Sequence, residues 1–147
     1  MNEKTIKNRK YRTKLKRLFG LLEEKIEIEI VLHQIDNFIY IKAYHAKDLI
    51  VKMINVVYKE EYIYICDIRD YIHSRYINKG IGTQMMSILI EFAKENGIKR
   101  IEGKLGVIDK ETHGDRLEHF YIKQGFNINY YDVQRDGFCA DIVKYIE

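Results

Sequence analysis

From residue 25 to residue 33 apolar residues alternate with polar ones, and β-rich runs broken by turn signals continue to residue 73. Two glycines one residue apart, Gly80 and Gly82, follow them. A period of two marks a half-buried β-strand. Ile26, Ile28, Ile30 and Leu32 mark a strand over 25–33. The Asp36-Asn37 pair reads as a tight turn into a second strand, 38–44. A third strand covers 48–58, Glu60-Glu61 marks a turn, and a fourth covers 62–73. Four strands with short connections predict an antiparallel meander.

Past the glycines the period lengthens to that of a helix. Met85, Met86, Leu89, Ile90 and Ala93 form one stripe over 83–96, and Gly97 is placed to end it. Residues 98–105 read as a fifth strand. Residues 115–124 read as a short helix with Leu117, Phe120 and Tyr121 on one face. Two last strands, 126–133 and 138–146, meet at the hairpin signal Arg135-Asp136-Gly137. At the other end, Tyr11, Leu15, Leu18, Phe19 and Leu22 recur at helical spacing and predict a helix over 3–24. The expected fold class is α+β (mixed α/β): a single, mostly antiparallel sheet of about seven strands flanked by helices. The length of 147 residues fits one domain spanning 1–147.

Hydrophobic residues make up 46% of the chain and charged residues 32%, which excludes a disordered chain. No apolar run is long enough to span a bilayer, so no membrane partner is expected. The N-terminus shows no apolar signal segment, and Cys66 and Cys139 stand far apart. Reduced thiols in a cytoplasmic protein are expected. The five histidines form no short cluster with the cysteines, so no metal is expected. The net charge of +3 is uneven. Residues 1–17 carry eight basic side chains against Glu3 alone, a charge of +7, and the rest of the chain carries −4. The basic segment reads either as a solvated surface helix or as a dock for a polyanion such as nucleic acid. No RNA-binding motif and no ordered aromatic platform is visible along the chain.

Gly80 and Gly82 stand where a strand gives way to a helix, so their backbone N–H groups face the positive end of the helix dipole. A phosphate or pyrophosphate is the usual occupant of such a place. A P-loop is excluded because Lys79 precedes Gly80, and a dinucleotide fingerprint because Met85 stands at its third glycine.

The run Ile72-His73-Ser74-Arg75-Tyr76-Ile77-Asn78-Lys79-Gly80-Ile81-Gly82-Thr83 resembles the acyl-CoA-binding motif of the GNAT superfamily of N-acyltransferases, whose form is strand, Arg/Gln-x-x-Gly-x-Gly/Ala, helix. Further on, Phe120-Tyr121-Ile122-Lys123-Gln124-Gly125-Phe126 resembles the family's second motif, an aromatic-Tyr pair before Gly-Phe. The resemblance covers about residues 50–146 and implies a GNAT-like fold with two strands splayed at the coenzyme A site. Two departures stand out. Ile77 occupies the usual Arg or Gln position, and one basic helix replaces the strand and two helices that open the family's fold.

The resemblance implies acetyl-CoA as cosubstrate and a primary amine as acceptor, on a small molecule, a protein or a nucleic-acid-linked group such as aminoacyl-tRNA. It implies a monomer or homodimer. The backbone of Asn78, Lys79, Gly80, Ile81, Gly82 and Thr83, with Ile77 beside it, would hold the pyrophosphate, and Ile72, His73 and Ser74 the pantetheine arm. Tyr121 matches the general acid, its phenol being protonated at neutral pH. Asp67 and Asp70 are the candidate bases. Three residues apart in a regular strand, they face opposite sides unless a bulge intervenes. A catalytically silent acyl-CoA-binding module is the alternative.

Overall fold

The computed structural model describes residues 6–19, 22–70, 80–106 and 116–147. Five strands come first: β1 (Ile6–Phe19), β2 (Leu22–Ile35), β3 (Phe38–His45), β4 (Asp48–Tyr58) and β5 (Tyr62–Asp70). Helix α1 (Ile81–Glu95) leads to β6 (Arg100–Gly106), and α2 (Arg116–Lys123) leads to β7 (Asn127–Arg135) and β8 (Phe138–Tyr145). All eight strands share one sheet in the order β1-β2-β3-β4-β5-β6-β8-β7. Among the described strands only β5 and β6 pair in parallel, because a helix crossover separates them. The fold is the expected α+β sheet, with eight strands where about seven were expected. Asp136 and Gly137 both have positive φ, as the hairpin signal there requires; Lys59 and Glu60 do too, so this turn sits one residue before the expected Glu60-Glu61.

The helix expected over 3–24 is not formed. Ile6–Phe19 is a strand paired with β2 along its whole length, from Ile6 opposite Ile35 to Phe19 opposite Leu22. The cause is the partner. Ile26, Ile28, Ile30 and Leu32 are buried, and β1 supplies main-chain hydrogen bonds to the strand that carries them. The register also places Arg12 opposite Glu29 and Lys14 opposite Glu27, so a basic strand lies against an acidic one. Arg9 of β1 reaches Glu95 at the end of α1, where a carboxylate alone would oppose the helix dipole.

One face of the sheet is the core. Ile28, Leu32, Ile39, Ile41, Ile63 and Ile101 are buried there with Met85, Met86, Leu89 and Phe92 of α1. Each such side chain contributes on the order of 1.5–3 kcal/mol through burial. Helix α2 lies on the same face. Its Glu118 accepts a hydrogen bond from Tyr130, whose strand partner is the buried Ala140. No described helix covers the opposite face.

Candidate functional site

Strands β5 and β6 pair over three positions only: Tyr62 with Arg100, Ile63 with Ile101, and Tyr64 with Glu102. Both strands then continue, β5 to Asp70 and β6 to Gly106, without pairing to each other. The result is a fork that opens toward the C-terminal ends of two parallel strands. Unpaired strand backbone in a sheet interior has free donors and acceptors for an extended ligand.

Two local features shape the fork. Glycine stands at 103, where a Cβ would meet the Ile142 side chain at 3.2 Å and that of Ile65 at 3.5 Å, so these two isoleucines pack directly against the β6 backbone at the crotch. A bulge sits just beyond it: Ile54 pairs with Asp67 and Asn55 with Ile65, leaving Cys66 unmatched. Asn55 is fully buried beside the bulge. Its Nδ2 donates to the carbonyl of Ile39 at 3.2 Å, and its Oδ1 has no partner among the described residues. Cys66 is exposed as a residue, yet the strand atoms that desolvate its sulfur push the thiol up, and Asp67 adds to the shift.

Helix α1 begins at the open end of the fork. Gly80 is its N-cap, with φ 84° and ψ 4° in the left-handed region that favours glycine. The first helical bond runs from Gln84 N–H to Gly80 C=O at 3.0 Å. The N–H groups of Ile81, Gly82 and Thr83 therefore precede the hydrogen-bonded ladder. Among the described residues no side chain caps the helix, and its first turn holds no acidic residue. These amides fit a diphosphate.

Helix α2 is tied to this turn. Gln124 Nε2 donates to Thr83 Oγ1 at 3.2 Å, and a Cβ on Gly82 would come within 3.1 Å of the Phe120 ring. Tyr121, the next residue, is 5% exposed and packs edge-to-face on Phe120 and Phe126. Phe126 N–H donates to the carbonyl of Tyr121 at 2.9 Å, which fixes the chain as it leaves the helix.

The structure thus brings Gly80, Ile81, Gly82, Thr83 and the helix bearing Tyr121 together. Ile72, His73, Ser74, Ile77, Asn78 and Lys79 lie outside the described residues. Asp67 is on β5, where Arg69 Nε donates to its Oδ2 at 2.6 Å, so its carboxylate is ion-paired. The register runs from Asp67 opposite Ile54 to Asp70 opposite Val51, so the bulge precedes both aspartates rather than separating them. Glu102 on β6 is held by Arg100 at 2.6 Å. Next to these, burial pushes the Tyr64 phenol up, as do Cys66, Asp141, Tyr58 and Glu102. Tyr131 is pushed up to about 12 by desolvation first and by the hydrogen bond it donates to Asp141 second.

Sequence reasoning passed over Gly103 and the Gln124–Thr83 bond. A glycine inside a strand is itself a signal of close approach. Nothing local announces the bond, which spans 41 positions. No group of His, Cys, Asp and Glu able to hold a metal occurs among the described residues. No helix among them is long and apolar enough to cross a membrane.

The family model described as "Acetyltransferase (GNAT) domain" matches residues 36–128. No curated protein matches the sequence. Among solved structures, Ard1 from Thermoplasma volcanium is similar at 14% identity and TM-score 0.60, over 74% of this chain and 70% of that one. The ribosomal-protein-S18-alanine N-acetyltransferase from Escherichia coli is similar at 14% identity and TM-score 0.59, over 77% and 72%. An aminoglycoside 6'-N-acetyltransferase complexed with coenzyme A is similar at 14% identity and TM-score 0.58, over 76% and 74%. At such identities these three carry the fold.

Proposed function

The chain belongs to the GNAT acetyltransferase family, and from that premise we propose that it is a cytoplasmic, single-domain N-acetyltransferase. It transfers an acetyl group from acetyl-CoA to a primary amine on a small molecule or a protein, by direct attack on the thioester. The observation that carries this reading is the fork: β5 and β6 part after Tyr64 and Glu102, beside a helix start whose first amides are uncapped.

Each residue has a task. The amides of Ile81, Gly82 and Thr83, with the backbone of residues 77–80, bind the diphosphate. Backbone at the end of β5, with Ile72, His73 and Ser74, orients the pantetheine arm between the strands. The hydroxyl of Tyr121 gives its proton to the departing thiolate. Asp67 or Asp70 receives the proton of the attacking amine through water. For Asp67 this requires Arg69 to yield part of its hold. The buried setting of Tyr121 keeps water from competing for its proton.

The test is calorimetry with acetyl-CoA, followed by thiol release over a panel of amines. Binding with thiol release on adding an amine is expected. Binding without release on any amine would assign the chain to silent acyl-CoA-binding modules. Absence of binding would remove the reading altogether.

A further inference from the structure

The sheet face opposite the helices has an order of its own. Across it, register partners fall into rows that cross the strands. One row runs Lys10, Val31, Lys42, Lys52 and Arg69, from β1 to β5. Four of its five members are cations. At a strand spacing of about 4.8 Å the row is about 19 Å long. Like charges directly opposite each other destabilise a sheet, and here Lys52 faces Lys42 on one side and Arg69 on the other. Arg69 is paired with Asp67. Lys42 and Lys52 form no ion pair among the described residues; both ammoniums lie over the Tyr40 ring, at 5.8 and 5.6 Å from its centroid.

Aromatic rings lie beside this row on the same face. Phe38 stacks on Tyr40 with centroids 6.2 Å apart, and Tyr58 stacks on Tyr62 at 5.2 Å. Phe38 and Tyr58 are 45% and 44% exposed. Tyr64 stands edge-on to Tyr58, and Arg100 covers Tyr62. An ordered aromatic platform is therefore present, although none was visible along the chain. Its members lie on three strands, and the pairing register alone aligns them.

We infer that this face, which no described helix covers, binds single-stranded nucleic acid, with the phosphates along the Lys10–Lys42–Lys52–Arg69 row and bases against Phe38, Tyr40 and Tyr58. The complementarity is of charge and of shape. A polyanion relieves the repulsion between facing cations, and flat rings accept bases whatever their sequence. β1 contributes Lys10 to the row, while its Arg12 is paired with Glu27 of β2. The row ends on β5, one arm of the fork, so a bound strand would bring its end to the acetyl-transfer site. That last step rests on the proposed function; binding does not.

The experiment is fluorescence anisotropy of a labelled oligothymidylate and oligouridylate of about twenty nucleotides, without acetyl-CoA, with salt raised from about 50 to about 200 mM. Binding is expected, weakening with salt by a log–log slope of about −0.7 per cation engaged. The double variant Lys42→Gln/Lys52→Gln loses about 1.4 from that slope. Tyr40→Ala weakens binding on the order of tenfold. Circular dichroism of each variant reports folding, and the surface lysine variant keeps the test alive if Tyr40→Ala unfolds. Lys94→Gln/Lys123→Gln, on the helices, leaves binding unchanged. Four results each overturn the proposal: no binding at the lowest salt; equal binding by the Lys42/Lys52 variant; polyglutamate bound as tightly as the oligonucleotides, which marks an acidic protein as partner; or sedimentation showing a dimer that masks Tyr40. Acetyl-CoA binding measured in parallel keeps a failure here apart from a failure of the proposed function.

Discussion

Two tyrosines near the fork can be interrogated one atom at a time. Tyr121 sits edge-on between Phe120 and Phe126, so phenylalanine in its place keeps the packing and removes only the hydroxyl. Tyr121→Phe is expected to lower kcat by about a hundredfold at saturating acetyl-CoA, the lower range for a lost general acid, and to leave KM for acetyl-CoA unchanged. Tyr131 makes a separate prediction. An unfolded phenol ionises near pH 10, and this one is pushed up to about 12. The folded chain holds the proton longer, so this contribution to stability is whole below about pH 10 and is lost as pH rises from about 10 to about 12. Ultraviolet titration of Asp141→Asn should show one tyrosine ionising earlier than in the parent, and its melting temperature should fall less steeply across that window. At this scale the sequence was legible where chemistry is local. Gly80 and Gly82 mark the helix start because a left-handed N-cap and a close ring select glycine. The Arg69 clamp on Asp67 needed a strand to bring alternate residues onto one side.

Among the elements, β2 was readable because alternation of isoleucine with polar residues has one interpretation, and β3 to β5 because β-rich runs lie between turn signals. β1 was not. Tyr11 and Leu15 are four apart, which suits a helix turn and equally two steps of a strand. A partner strand, not the segment itself, decided between them. The fork was unreadable for a related reason: it depends on where two strands stop pairing, and both have ordinary strand composition. Gly103 allows a direct test. Gly103→Val pushes a side chain against Ile142 and Ile65. Overpacking of this kind costs about 1–3 kcal/mol. A lowered melting temperature is expected, with a rise in KM for acetyl-CoA while kcat holds. Unchanged KM in a folded variant would mean that the crotch of the fork does not carry the ligand.

For the molecule as a whole, an acyl-CoA ligand that binds only the folded chain adds stability by mass action. At about a hundredfold excess over Kd this is about 2.7 kcal/mol. A melting temperature higher by about 5–10 °C follows for a chain of this size. Differential scanning fluorimetry with acetyl-CoA, against an adenine nucleotide lacking the pantetheine arm, checks it. The ion pair between Arg9 and Glu95 spans the first strand and the end of α1, and both side chains are over a third exposed. Arg9→Ala should therefore cost no more than about 1 kcal/mol. The first strand has one more consequence. Its outer edge has no neighbour among the described strands, so alternate residues of its fourteen present main-chain groups that another copy could extend into a ribbon. Lysine or arginine at seven of those fourteen positions makes such stacking electrostatically unfavourable. Replacing Lys10, Lys14 and Lys16 by threonine should make concentrated solutions turn turbid on storage, a change read by light scattering.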